Sequence, residues 1–145
     1  MLHIYTIGSS TSCRRAVQWL KDNMVPFKEH PIDTTAEKTV KARENLSPDV
    51  LKQFLAASEN GCDELVAPRS LAMQALSKKM DLTQLSLKEM LNVIIDNPKM
   101  LRWPIAFDDT RKVLQVGFND DEFGTFIPRR LRKQELNSIL VRLNS

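Results

Sequence analysis

Residues 2–33 read LHIYTIGSSTSCRRAVQWLKDNMVPFKEHPID, and the order of residue types along this stretch decides how the fold opens. Leu2 to Ile7 sets β-branched and aromatic residues side by side, which predicts a strand. Gly8, Ser9, Ser10, Thr11 and Ser12 follow, and these are loop and helix N-cap residues. A helix is therefore expected from near Cys13, with Ala16, Val17, Leu20 and Met24 at helical spacing and Pro26 as its stop. Phe27 to Ile32 then predicts a second short strand, with Asp33 after it. A helix between two strands makes them parallel neighbours joined by a right-handed crossover.

Working outward, strand signals vanish from Thr34 to about Asn97, where Lys, Glu, Gln, Leu and Met dominate and Ser47-Pro48, Asn60-Gly61 and Asn97-Pro98 punctuate the chain. Helices are expected at 36–44, 48–58, 70–76 and 86–96. β-formers return at Ile105-Ala106-Phe107 and at Val113 to Gly117, separated by the polar turn Asp108 to Lys112, which predicts an antiparallel hairpin closing the sheet. Asn119 can cap a short helix reaching Phe126, and Pro128 breaks it. Lys133 to Leu143 carries Leu136, Ile139, Leu140 and Leu143 on one stripe. The expectation is one α/β domain over 1–145, its sheet core formed by 1–33 and 103–145, with a helical insertion over 34–102.

Composition narrows the functional classes. At 145 residues and 42% hydrophobic, the chain can bury one ordinary core. Twenty-one Lys and Arg against 18 Asp and Glu leave a net charge of +3, a mild excess that solvated basic faces account for. No apolar run approaches the roughly 18 residues that span a bilayer, and the N-terminal stretch turns polar before a signal-peptide core could form, so a cytoplasmic protein without membrane contact is expected. The two cysteines, Cys13 and Cys62, are too few for a disulfide framework, and any thiol role is redox or nucleophilic. For Cys62 the ordinary alternative is a small core residue. No metal site and no cofactor is expected.

Four strings stand in a telling order: YTIGSSTSCRRA (5–16), ENGCDELVAPRS (59–70), MLRWPI (100–105) and VLQVGFNDDEFGTFIPRR (113–130). Together they resemble the Spx-type transcription regulators and the wider arsenate-reductase-like (ArsC) family, over nearly the whole chain. The resemblance implies a thioredoxin-like mixed sheet with a helical insertion, and a cis Pro104 ahead of the third strand. The stretch TTAEKTVKARENLSP (34–48) suggests a divergent branch.

The first loop separates the branches. The reductases' catalytic cysteine matches Ser10, and a serine hydroxyl can neither form a reducible thiol adduct with arsenate nor join a disulfide cascade. The CxxC switch of Spx proteins matches Ser10 and Cys13, so here it reads SxxC and an intraloop disulfide is impossible. Cys13 keeps a helix-start position beside Arg14 and Arg15, which leaves either a single oxidisable thiol or a residue without regulated chemistry. By the same resemblance Arg69 is an anion-binding candidate. Trp103 occupies the place where reductases put an arginine before the cis-proline, and Arg102 falls one residue early, a shift that turns a strand side chain to the other face. Arg111 could contribute. Alternatively, Arg69 and Arg102 pair with acids, and Trp103 is packing.

What the resemblance implies about partners centres on Gly61. Spx-type regulators contact the C-terminal domain of the RNA polymerase α subunit through a surface around a glycine at this position, where close backbone approach excludes a Cβ. The alternative is a left-handed helix C-cap after Ser58. Arg129-Arg130-Leu131-Arg132-Lys133 suits phosphate, but without interleaved aromatics or a recognition helix it implies promoter DNA contact only within a polymerase complex. The ending Leu143-Asn144-Ser145 loosely resembles those delivered to a AAA+ protease. Three readings stand: a polymerase-binding regulator, a thioredoxin-like adaptor for another protein, and a thiol-dependent reductase using Cys13.

Overall fold

The computed structural model describes residues 1–32, 34 and 46–127; the helices expected at 36–44 and 133–143, the Arg129 to Lys133 cluster and the chain end lie outside the described residues. Strand β1 (Leu2–Thr6) leads through a loop into α1 (Thr11–Asp22) and β2 (Phe27–Pro31). Helices α2 (Pro48–Ala57), α3 (Cys62–Leu65), α4 (Leu71–Lys79) and α5 (Leu87–Asp96) follow, with 3-10 turns at Leu82–Gln84 and Pro98–Met100. Strands β3 (Ile105–Asp108) and β4 (Val113–Val116) form the hairpin, and α6 (Asp120–Phe123) runs into a last 3-10 turn, Gly124–Phe126.

The four strands lie in the order β2-β1-β3-β4. β1 and β2 are parallel, as the helix between them requires, and β3 and β4 are antiparallel to their neighbours. Because successive side chains of a strand point to opposite faces, β1 divides the core in two. Leu2 and Ile4 pack with Ala16 and Leu20 of α1, Ala106, Phe123 and Phe126. Tyr5 joins Phe54 of α2, Leu91 and Ile94 of α5, Ile105 and Phe107 on the other side. The sheet is thus covered on both faces, the arrangement of the thioredoxin-like fold expected.

Local chemistry explains where the elements begin and end. Ser10 is the N-cap of α1, accepting the Cys13 N–H at 3.2 Å, so the helix starts at Thr11, two residues before the expected point. It also stops earlier than Pro26. The Asn23 side-chain amide donates to the Trp19 carbonyl at 2.9 Å, and Met24 takes a left-handed φ of 54° that turns the chain. Met24 therefore leaves the apolar stripe assigned to it and stands exposed.

Ser47, Ser70 and Ser86 cap α2, α4 and α5 in the same way as Ser10. In α2, Pro48 occupies the first turn, where its missing N–H costs nothing. α4 continues past Leu76 to Lys79, with Lys78 and Lys79 at the negative end of its dipole. The Trp103-Pro104 bond is cis, as the resemblance implied. No helix among the described residues is long and apolar enough to cross a membrane.

Two substitutions probe this architecture. Phe54 is fully buried and meets Tyr5 and Phe107 edge-on at centroid distances of 5.0 and 5.8 Å. Phe54→Ala is expected to cost about 3–5 kcal/mol, read as a lower urea midpoint. Ser10→Ala removes the α1 cap and is expected to cost about 1 kcal/mol in the same assay.

Candidate functional site

The first loop lies between the end of β1 and α1, where free N–H groups and the helix dipole favour an anion. Its two chemical residues are both spent on structure. The Ser10 hydroxyl is the cap. The Cys13 side chain sits one helical turn before Ala16 and two before Leu20, on the buried face of α1, and is 3% exposed. Its thiol belongs to the cluster that includes Tyr5, Ile32 and Phe54. Arg14 folds back over the loop, its Nη1 donating to the Gly8 carbonyl at 3.2 Å and Nη2 to the Thr11 hydroxyl at 3.1 Å.

The arginines do not converge on this loop. Arg69 is exposed, and its guanidinium makes no hydrogen bond or ion pair among the described residues. Arg102 points elsewhere: its backbone N–H donates to the Leu65 carbonyl at 2.7 Å and its Nε to the Val66 carbonyl at 2.9 Å. Neither pairs with an acid within salt-bridge distance among the described residues. Arg111 is held by Asp108 at 3.2 Å and by the Thr125 carbonyl at 2.6 Å. Trp103 is packing, as one expectation had it: the ring is buried and its Nε1 donates to the Pro98 carbonyl at 2.8 Å.

The Gly61 turn is the second place, and here polar groups gather. Gly61 has φ 64° and ψ −137°, a combination open to glycine and strained for other residues, with open space where a Cβ would stand. It is not the C-cap of α2. That cap is Ser58, in extended conformation, and Gly61 instead is the N-cap of α3. The turn between them is tied down. Ser58 Oγ donates to the Leu55 carbonyl at 2.7 Å and accepts the Gly61 N–H at 3.0 Å. Glu64 Oε2 accepts the N–H groups of Glu59 and Asn60 at 2.9 and 3.4 Å. From the sequence Glu64, with Asp63, reads as an acid suited to a basic partner face; its capping role was missed, although a glycine cap followed three residues later by Glu is a variant of the capping-box signal.

Beside this turn opens a polar cleft of about 530 Å³, whose walls include Asn60, Asp63, Glu64, Arg102 and Glu122. Arg102 thus joins the Gly61 surface rather than an anion site at Ser10. Cys62 is partly buried next to it, and burial, helped by the Asp63 charge, pushes its thiol pKa up, which favours the protonated thiol.

The chain has relatives among known proteins. The chain is 42% identical over 136 residues to the global transcriptional regulator Spx of Enterococcus faecalis, covering 94% of this chain and 93% of that protein. It is 39% identical over 142 residues to the regulator of the same name from Streptococcus mutans, covering 98% and 94%. Among solved structures, an ArsC family related protein from Bacteroides fragilis superimposes with a TM-score of 0.68 at 16% identity, over 86% of this chain and 96% of that one. An arsenate reductase from Vibrio cholerae gives 0.61 at 16% identity, over 86% and 96%. These two likenesses speak for the fold alone. The ArsC family model matches residues 5–126, and with relatives of this identity spanning nearly its full length, the chain belongs to the ArsC family.

Proposed function

We propose that the protein is a transcription regulator that docks on the C-terminal domain of the RNA polymerase α subunit through the Gly61 turn, acting in stress response without a CxxC disulfide switch. The observation that carries this reading is the Gly61 turn. Its backbone amides are satisfied internally, its conformation requires glycine, and it stands exposed at Glu59 and Asn60 beside the cleft. A surface already rigid before contact loses little entropy on docking. Likeness to relatives named as global transcriptional regulators supports the same reading. Promoter DNA is contacted only within the polymerase complex, and turnover by a AAA+ protease remains part of the proposal.

The reductase reading loses its chemistry at the first loop. The position that would hold the attacking thiolate is Ser10, and the nearby thiol of Cys13 is enclosed in the core. A thiol without access to solvent meets neither substrate nor reductant.

Calorimetric titration with the isolated α C-terminal domain tests the proposal. The natural chain is expected to bind. Asn60→Arg, which adds bulk without disturbing the glycine, is expected to weaken binding at least about tenfold, or about 1.4 kcal/mol. Gly61→Ala, which strains the turn with little bulk, separates loss of shape from obstruction. Absence of binding by the folded natural chain moves the assignment to an adaptor for another protein.

The switch itself is open to reconstruction. Ser10 already faces the first turn of α1. Ser10→Cys is expected to lose two of its three free thiols to an intramolecular disulfide with Cys13 on mild oxidation, while the natural chain keeps both Cys13 and Cys62 free; thiol counting by mass spectrometry checks this.

A further inference from the structure

The sheet order leaves β4 at one edge, and its pairing with β3 fixes which of its backbone groups face outward. In an antiparallel pair, residues that exchange hydrogen bonds with the neighbour alternate with residues whose N–H and C=O point away from it. The Gly117 N–H donates to the Pro104 carbonyl at 2.8 Å, in register with the pairing of Ile105 and Val116. Alternation then turns Val113 and Gln115 toward β3, and Leu114 and Val116 away from it. On the other side of β3 the Asp109 N–H donates to the Met1 carbonyl at 3.1 Å, which gives the same alternation.

Among the described residues, no hydrogen bond engages the backbone of Leu114 or Val116 on this outer side. Each offers an N–H and a C=O to a further strand. The edge is short, because Lys112 and Gly117 take left-handed φ angles of 57° and 77° and turn the chain at either end. A short edge discourages open-ended stacking of copies and still accepts a short extended segment.

The polar cleft beside the Gly61 turn runs along this edge. Its walls include both Gln115 and Val116, neighbours in β4 that point to opposite faces of the sheet. Val116 packs on the side of Tyr5 and Phe54, where Leu65 places α3. Gln115 pairs with Ala106, on the side where Phe123 places α6. A cleft that reaches both passes around the rim of β4. α3 brings Asp63 and Glu64 to it and α6 brings Glu122, against one guanidinium, that of Arg102. Glu64 is engaged by the amides of the turn, and Arg102 Nε by the Val66 carbonyl. The Asp63 and Glu122 side chains make no hydrogen bond or ion pair among the described residues.

We propose that the outer edge of β4 takes an extended segment of a partner protein as an added strand, with two consecutive basic residues of that segment reaching Asp63 and Glu122 on opposite sides of the rim. Neighbouring residues of a strand point to opposite faces, so the residue opposite Val116 lies toward Asp63 and the one opposite Gln115 toward Glu122. Backbone bonds supply the attraction that any extended segment shares, and the two carboxylates select its charge. The inference concerns the sheet edge and does not rest on polymerase docking; its test uses no polymerase subunit, so either can fail without the other.

NMR titration and amide exchange of the full chain at low salt test the proposal, with the capped peptide Thr-Thr-Lys-Arg-Thr-Thr as ligand and with Thr-Thr-Glu-Glu-Thr-Thr and spermidine as controls. The basic peptide is expected to bind with a Kd of about 1 mM or tighter. It is expected to slow exchange of the Leu114 and Val116 amides at least about fivefold, while the Gln115 amide, already bonded to β3, stays unchanged. The acidic peptide is expected to do neither. Asp63→Asn combined with Glu122→Gln is expected to weaken the basic peptide at least about tenfold. If that variant does not fold, the natural chain with the three ligands decides alone. Equal binding of the two peptides, exchange of Leu114 and Val116 unchanged by the basic peptide, or the same slowing by spermidine overturns the proposal. So does protection of these amides in the free chain that grows with protein concentration, the sign of edge pairing between two copies.

Discussion

The fold depends on one constraint, that β1 is covered on both of its faces and hydrogen-bonded along both of its edges. Ile4 is fully buried on one face and Tyr5 nearly so on the other, and the strand pairs with β2 on one side and β3 on the other. A strand in that position needs a layer of helix above and below it. α1 supplies one layer on its way to β2, and α2 and α5 supply the other. The helical stretch after β2 is therefore not an appendage. Without Phe54, Leu91 and Ile94, the face bearing Tyr5 and Phe107 would lie open to water.

The same constraint decides the chemistry of the first loop. α1 must turn Ala16 and Leu20 toward the sheet, and helical geometry then carries Cys13, three residues before Ala16, to the buried side. A residue in the first turn reaches past the end of the sheet, which is why Cys13 packs with the Tyr5 cluster while Ala16 and Leu20 pack with Ile4. The position that the helix leaves near solvent is the N-cap, and it holds a serine whose oxygen is engaged by the Cys13 N–H. An anion-friendly helix end has thus been given a purely structural occupant. The arginines follow suit: Arg14 clasps the loop carbonyl, and Arg102 ties the segment before β3 to Leu65 and Val66.

Much of this was legible in the sequence, for identifiable reasons. The opening strand, helix and strand were readable because their residue types change in blocks and a serine run marks the cap. The hairpin was readable from Val and Phe around a polar turn. α3 was not, since four residues carry no periodicity, and the Asn60-Gly61 pair reads equally well as the end of one helix or the start of another. Met24 matched the helical spacing by accident, because spacing says nothing of where Asn23 ends the ladder. The family resemblance anticipated the cis bond correctly. Yet it could not say that Arg102 would face the Gly61 cleft, which depends on how the chain crosses from Leu65 to Met100. The approach of His3 to His30, 2.8 Å between ring nitrogens, was invisible because the two lie 27 residues apart and meet through the parallel pairing of β1 with β2.

That crossing explains why a turn far from the sheet in sequence can present a fixed surface. Val66 and Leu101 form an isolated antiparallel bridge, with the Ala67 N–H donating to Met100 at 2.8 Å and the Arg102 N–H to Leu65 at 2.7 Å. One end of this bridge is continuous with α3 and the Gly61 turn, and the other runs through Trp103 and Pro104 into β3. The Arg102 side chain adds a third bond across it. The turn is therefore anchored to the central sheet by backbone hydrogen bonds rather than by side-chain contacts alone, and motion of the turn would have to break them. Under the polymerase-docking reading, this anchoring makes the surface independent of the first loop. Binding through Gly61 then needs no signal from Cys13, and the loss of a disulfide partner at Ser10 leaves the docking surface intact while removing the route by which oxidation could alter it.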